Sequence, residues 1–291
     1  MRAPLGAIVL VAASAACRKP PPDATPDFSD ALVYVFSSFD AEEPDLAFGL
    51  RALEQQVYAE MDILADDSLE RSLSQAFLTE EDVAGLERPD RELALALPVA
   101  VAGASDHPVD DQTRIAMLTD QTVVEPYSPD YFERTFLSGD DCWADRGCER
   151  METSNDLIKD NILMTIPYWF YKDYRWIDLA LPDPGDTTSQ AEDPRYGFVA
   201  RSWTTEQFAG DSDKNWIRQS YTIEVWLPRD GRAEGAGSAG TGGGTLRLLA
   251  LWTETDIGGI SVSDDTIIGT ARIGIDENLD AQEEWLDANL Q

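Results

Sequence analysis

Histidine is almost absent from this chain of 291 residues, in which His107 is the only one. Most zinc, copper and iron sites use imidazole ligands, and one imidazole cannot build such a site alone. A Ser-His-Asp triad has no local support either, because no Gly-x-Ser-x-Gly motif accompanies the histidine. His107 lies in a predicted loop, and we interpret it as a solvated loop residue.

Basic residues are also scarce, and lysine is the rarest of them. The chain has 22 Lys and Arg against 55 Asp and Glu, a formal net charge of −33 at pH 7, and only four of the basic residues are lysines. Such a surface repels nucleic acid and anionic lipid head groups, and no basic run offsets it locally. Nucleic-acid binding is therefore excluded. The acids are scattered rather than grouped, which favours a solubilising role over a platform for cations or a basic partner.

The N-terminus has the layout of a secretory signal. A basic residue precedes an almost wholly apolar run at residues 3–11, and small residues at 14–16 precede Cys17. The closing Ser-Ala-Ala-Cys resembles the lipobox of bacterial lipoproteins, a resemblance that covers residues 1–17 only. It implies that residues 1–16 are removed as a signal peptide and that Cys17 is lipidated. The alternative is an ordinary secretory leader cut at the same place.

Residues 17–27 follow as a proline-rich tether. Its prolines exclude a helix and favour polyproline II, in which ten residues reach up to roughly 30 Å. The resemblance implies an exported cell-envelope protein whose membrane partner is reached through N-terminal acyl chains. In that family an Asp after the acylated Cys often retains the protein in the inner membrane. Arg18 stands there instead, so the outer membrane, facing the periplasm, is favoured.

Cys142 and Cys148 predict a disulfide, because an even pair of cysteines in an exported chain is usually bonded. Zinc is less plausible because no histidine or further cysteine lies nearby, and the spacing is not that of a redox Cys-x-x-Cys pair. The small ring would restrict the unfolded chain by about 2.4 kcal/mol. We interpret the pair as a structural staple, and we predict no metal and no cofactor.

Residues 28–291 predict a single globular domain of the α+β class. Helices are expected over 28–92, then a large antiparallel β-sheet meander over 93–291 that ends in a short C-terminal helix capped by Asp276. Polar and apolar residues alternate over 221–227, as a one-sided antiparallel strand requires. The glycine-rich stretch 231–244 predicts a mobile surface loop. The segments predicted as strands are 31–36, 93–101, 114–124, 131–137, 162–181, 196–203, 216–227, 245–253 and 266–275.

The aromatic segment 168–176 holds the candidate ligand-binding residues. On a strand, Trp169 and Tyr171 share one face while Tyr168 and Phe170 share the other, so neither face is plainly the solvent face. One interpretation is a central strand covered on both sides, one of them by the N-terminal helices. The other is that Trp169 and Tyr171 line a groove for an apolar ligand.

Two classes of function remain. The favoured one is a lipid-anchored, non-catalytic envelope module that binds a protein, glycan or lipid, or carries an apolar ligand in an aromatic-lined groove. The other is a carboxylate-dependent envelope hydrolase on the same scaffold. The shortage of His and Cys favours the first, and no catalytic residue is predicted. The order of helices, sheet and terminal helix is similar to that of folds that grip apolar ligands, which is an analogy of fold only.

Overall fold

A computed structural model describes residues 27–61, 71–73, 75–160, 164–186, 193–210, 214–229, 243–258 and 262–290. Cys17, the predicted leader and most of both the tether and the glycine-rich stretch lie outside the described residues. The elements in chain order are α1 (Phe28–Ser37), α2 (Glu43–Met61), β1 (Arg71–Leu73), a one-turn 3-10 helix (Leu93–Leu95), β2 (Leu97–Ser105), α3 (Val109–Ala116), β3 (Phe132–Ser138), β4 (Arg150–Asp160), β5 (Thr165–Asp178), β6 (Tyr196–Trp203), β7 (Phe208–Ala209), β8 (Trp216–Arg229), β9 (Gly244–Asp256) and α4 (Asp264–Asn289).

The strands form one antiparallel sheet. Eight of them follow one another in the order β1-β2-β9-β8-β6-β5-β4-β3, and the two-residue β7 pairs with β8. From β3 to β9 the sheet is a meander, because strands that follow along the chain are also neighbours in space, while β2 pairs with β9 at the far side. The predicted α+β fold, with N-terminal helices, an antiparallel sheet and a C-terminal helix, is confirmed.

The two N-terminal helices cover one side of the sheet, called here the helix-pair face. The rings of Phe36 in α1 and Trp252 in β9 lie 5.3 Å apart, and the Arg175 guanidinium donates to the carbonyls of Phe39 and Ala41, each at 2.7 Å. The strand predicted over 31–36 is wrong. That run is apolar on all sides and wholly buried as a helix, which Asp27 caps by accepting from a backbone N–H.

The opposite side of the sheet, called here the α4 face, is covered by α3 and α4. The strand predicted over 266–275 and the helix cap predicted at Asp276 are both wrong. Helix α4 begins at Asp264, and Ser263 caps it by accepting from the Thr266 N–H. The strand predicted over 114–124 is also wrong, since α3 begins after Pro108 with two acidic residues in its first turn. No helix in the described ranges is both long and apolar enough to cross a membrane.

Candidate functional site

A cavity of about 210 Å³ lies between α4 and the sheet. Strands β3, β4, β5, β6, β8 and β9 contribute to one wall, and α4 forms the other. An engineered apolar cavity of about 150 Å³ holds benzene, so this space has room for a small organic molecule. It is smaller than the roughly 300–1,000 Å³ of most ligand pockets, so it suits a single small or slender molecule.

The sheet wall follows from the two-residue period of the strands. On β8, the apolar side chains of Ile223 and Val225 belong to the core on the helix-pair face, whereas Thr222 and Glu224 line the cavity. The alternation predicted over 221–227 is therefore present, and its polar positions face an internal cavity.

The helical wall follows from a stripe of residues along α4. The cavity-lining positions recur every three or four residues: Ile267, Ala271, Gly274, Asn278 and Gln282. Two central members of this stripe are small, so the helix leaves space beneath it. A side chain at Gly274 would lie 3.2 Å from the ring of Tyr127, so the glycine lets that ring pack directly on the helix.

Three rings form what we call the aromatic wall: Phe132 of β3 with Tyr168 and Phe170 of β5. The rings of Tyr168 and Phe170 are stacked with centroids 5.9 Å apart, and Phe132 meets Phe170 edge-on at 6.2 Å. Burial raises the pKa of Tyr168 well above its ordinary value, so its phenol is neutral at physiological pH. The wall is thus an uncharged surface suited to an apolar group.

The disulfide loop packs against one wall of the cavity. Cys142 and Cys148 are bonded, as predicted, with their Cα atoms 5.4 Å apart. The loop between them carries Trp143, which is fully buried and whose ring lies 5.3 Å from the ring of the cavity-lining Tyr174. Trp176 donates its indole N–H to the Trp143 carbonyl at 2.7 Å. The staple therefore fixes a tryptophan behind the cavity wall.

A buried ion pair forms part of the cavity wall. The Lys172 Nζ donates to Glu224 Oε1 at 2.5 Å, and only 10% and 13% of the two side chains are exposed. Burial alone would lower the pKa of Lys172, but the attraction of Glu224 and Tyr174 more than offsets it, and the pKa is raised. Lys172 is therefore charged at neutral pH.

Arg134 is a second buried cation in the wall, and it is held by neutral groups. Its Nε donates to Asn155 Oδ1 at 2.9 Å, and another of its nitrogens donates to the Ala116 carbonyl at 2.5 Å. Ala116 is the last residue of α3, where carbonyls lack partners within the helix and favour a cation. Arg134 thereby ties α3 to the sheet.

Lys159 is a third cation of the wall, at the end of β4. Its Nζ lies 5.2 Å from the ring centroid of Tyr127. Burial lowers the pKa of Lys159, and the nearby Glu125 opposes that effect. Glu125 in turn accepts from Asn278 Nδ2 at 2.7 Å. Burial and a hydrogen bond to Glu277 raise the pKa of Tyr127 to about 12.

The residues predicted to bind ligand lie outside this cavity. Trp169 and Tyr171 alternate with Tyr168 and Phe170 along β5 and so occupy its other face. Trp169 donates its indole N–H to Glu206 at 3.0 Å, and the Tyr171 ring lies 5.8 Å from that of Trp203. The aromatic segment therefore identified β5, which does line the cavity. The side chains of β5 that line it include Tyr168 and Phe170, and not Trp169 and Tyr171. A ligand-binding role for Trp169 and Tyr171 stays a prediction.

His107 is less solvated than the sequence suggests. Its side chain is 16% exposed, and its Nε2 lies 3.0 Å from Asp287 Oδ1 on α4. The histidine therefore connects the loop before α3 to the C-terminal end of α4. Across the ranges that the structure describes, no group of three or more His, Cys, Asp or Glu side chains is placed to hold a metal ion.

The charged lining of the cavity was not predicted. Two of the chain's four lysines line it, namely Lys159 and Lys172. The sequence shows that lysines are rare in this chain. It also shows that one of them, Lys172, lies within the aromatic segment. A lysine at a strand position flanked by aromatic residues two positions away on both sides was the signal that could have located the cavity face.

Comparison with known proteins assigns no family. No family model and no curated protein matches the chain. Among solved structures, a STAR-related lipid transfer protein fragment from Xanthomonas axonopodis is 10% identical with a TM-score of 0.39, over 65% of this chain and 85% of that one. The protein TTHA0849 from Thermus thermophilus is 14% identical with a TM-score of 0.36, over 66% and 97%. Ara h 8.0201 is 11% identical with a TM-score of 0.30, over 66% and 98%. Likenesses at this level give the chain neither a family nor a ligand.

Proposed function

We propose that this protein is a lipid-anchored envelope protein that binds a slender apolar or amphipathic molecule in the cavity beneath α4. The observation that carries the proposal is the cavity itself. It offers about 210 Å³ between α4 and the sheet, and its aromatic wall is an apolar surface that water solvates poorly. An apolar or amphipathic occupant would remove that surface from water, which favours a space kept for an occupant.

The carboxylates in the cavity wall already make contacts with other wall residues, and this favours binding over hydrolysis. Glu224 is engaged by Lys172, and Glu125 accepts a hydrogen bond from Asn278. A hydrolytic pair needs one carboxylate as acid and a second as base or nucleophile across the scissile bond. Both glutamates are held by wall residues, which suits a binding surface.

The anchoring part of the proposal rests on the sequence. The lipobox resemblance at Cys17 and the proline-rich tether would hold the domain within roughly 30 Å of a membrane, with the outer membrane favoured. A carrier of apolar molecules gains from that distance, because such molecules dissolve in membranes and poorly in water.

An uncharged apolar dye tests the proposal. N-phenyl-1-naphthylamine is titrated into the full-length chain carrying Cys17→Ser, so that no acyl chain competes for it, and its fluorescence is followed. We expect saturable binding that Ala271→Trp abolishes, since an indole at that position fills the cavity. Ala288→Trp is the matched control on an exposed turn of the same helix and should bind as the parent does. Absence of saturable binding, or equal binding by both variants, would contradict the proposal.

The same titration decides the role of the opposite face of β5. Replacing both Trp169 and Tyr171 with alanine should leave dye binding unchanged, because these side chains point away from the cavity. Loss of dye binding at an unchanged melting temperature would move the binding site to their face.

A further inference from the structure

The cavity wall reverses the charge balance of the chain. The whole sequence has 55 acidic residues against 22 basic ones. Among the residues that the structure describes, the cavity wall has three cations, Arg134, Lys159 and Lys172, against two carboxylates, Glu125 and Glu224. A wall of this composition favours an anionic group locally, although the surrounding surface repels one.

Two of the three cations already have ion-pair or hydrogen-bond partners within the protein. Lys172 is paired with Glu224, and Arg134 donates to Asn155 and the Ala116 carbonyl. These contacts satisfy the charges inside the fold. A ligand gains little from either group, because it would have to displace a partner that is already in place.

Lys159 is the cation that remains available. Its ammonium faces the ring of Tyr127, and within the described ranges it makes neither a hydrogen bond nor an ion pair. Glu125 attracts it, but the hydrogen bond from Asn278 holds that carboxylate. A partly buried ammonium without an acceptor is under-solvated, so an anion brought beside it would be stabilised.

The register of the sheet places apolar surface next to this ammonium. Leu157 precedes Lys159 by two residues on the same face of β4, which corresponds to about 7 Å. Leu157 pairs with Phe132 on one side and with Tyr168 on the other. A ligand whose head group is bound at Lys159 would therefore place its next atoms against Leu157 and the aromatic wall.

Building on the proposed function, we infer that the cavity takes a single-chain amphiphile whose carboxylate pairs with the Lys159 ammonium and whose hydrocarbon chain lies along Leu157 and the aromatic wall. A neutral head group could accept a hydrogen bond but would bring no negative charge to the ammonium, and a cationic one would be repelled. The cavity of about 210 Å³ favours one chain over a bulkier lipid.

Competition between molecules with the same chain and different heads tests this inference. Dodecanoate, dodecanol and dodecyltrimethylammonium displace N-phenyl-1-naphthylamine from the full-length chain carrying Cys17→Ser, at pH 7. We expect an apparent Kd for dodecanoate at least about tenfold below that for dodecanol, the gain of one charge-assisted hydrogen bond, and the weakest binding from the cationic compound. Lys159→Met should remove the preference for dodecanoate, measured as the ratio of the apparent Kd values for dodecanoate and dodecanol in the same variant.

Lys214→Met is the matched control, because this lysine is exposed and outside the cavity. It should keep the full preference, as should Lys159→Arg. If Lys159→Met does not fold, Lys159→Gln serves in the same comparison. Equal affinities for dodecanoate and dodecanol, or a preference that survives the loss of Lys159, would overturn the inference while dye binding still upholds the proposed function. Absence of dye binding in the parent would refute both.

Discussion

The Lys172–Glu224 pair leads to a prediction about stability that can be worked from its burial. Removing one partner of a buried pair typically costs 3–5 kcal/mol, because the other charge is left uncompensated. Since 10% and 13% of these side chains remain exposed, we expect about 3 kcal/mol, the low end, for Glu224→Gln. In a domain of this size that corresponds to a fall in Tm of roughly 6–12 °C.

Replacing both partners should cost much less than replacing one. In Lys172→Met with Glu224→Met, no charge is left buried, and apolar side chains of similar volume fill the site, so we expect a loss within about 1 kcal/mol. The pair is fully formed at pH 7, because a lysine whose pKa is raised in the fold contributes stability below its unfolded value of 10.5 and loses that contribution only as the pH rises through the folded value.

Denaturant unfolding of the two single variants and the double variant measures this coupling. Asp256→Asn is the control, since Asp256 pairs with Arg218 at an exposed site and its loss should cost under about 1 kcal/mol. A double variant destabilised by the sum of the single variants would refute the account of an uncompensated buried charge.

Three further predictions follow from other parts of the molecule. Burial raises the pKa of Asp173 from 3.8 to about 6, so stability is lost as the pH rises from the unfolded value through the folded one and stays reduced above it. Asp173→Asn should therefore stabilise the fold by about 1–2 kcal/mol at pH 8 and not at pH 4, while the exposed Asp130→Asn changes Tm at neither pH. Replacing Cys142 and Cys148 with serine should lower the free energy of unfolding by about 2 kcal/mol without abolishing folding, and an unchanged midpoint would contradict the staple. Cys17→Ser should remove acyl mass and detergent-phase partitioning, and an unmodified Cys17 at a free N-terminus would contradict lipidation.

The sheet was predictable where one strand face is apolar. Strand β6 matches its predicted bounds, and β8 and β9 match theirs within three residues. Strands β8 and β9 carry large apolar residues on the helix-pair face, and β6 carries apolar residues on both of its faces. Strand β4 was missed. Its inward positions include Thr153 and Asn155, which are buried and hydrogen-bonded to each other. Buried polar residues interrupt the alternation of apolar and polar residues from which a strand is predicted.

The predictions at α1 and at the start of α4 are wrong for a different reason than the one at β4. In α1 the run Ala31–Phe36 is apolar and rich in β-branched and aromatic residues, which favours a strand when no tertiary contact is considered. The start of α4 misleads in the same way, since Thr266, Ile267 and Ile268 are β-branched. In α1, burial against the sheet overrides this local preference, and at the start of α4 the Ser263 cap and the packing of Ile268 do so.

The candidate site could be predicted only in part. The aromatic segment did identify β5 as a strand of interest. Choosing between its two faces, however, requires knowing which helices cover which side of the sheet. That information depends on contacts between distant parts of the chain, such as Arg175 with the loop after α1. The sequence alone offers two equally aromatic faces.

Methyl NMR of the full-length chain carrying Cys17→Ser tests the central claim most directly. Isotopically labelled methyl groups on Leu249, Leu251 and Ile275 report on the cavity, whereas those on Ile223 and Val225 report on the helix-pair face in the same spectrum. Titration with N-phenyl-1-naphthylamine should shift the first set in a saturable way and leave the second set in place. Shifts confined to the second set, or no saturable shift in the first, would contradict a ligand-binding cavity beneath α4.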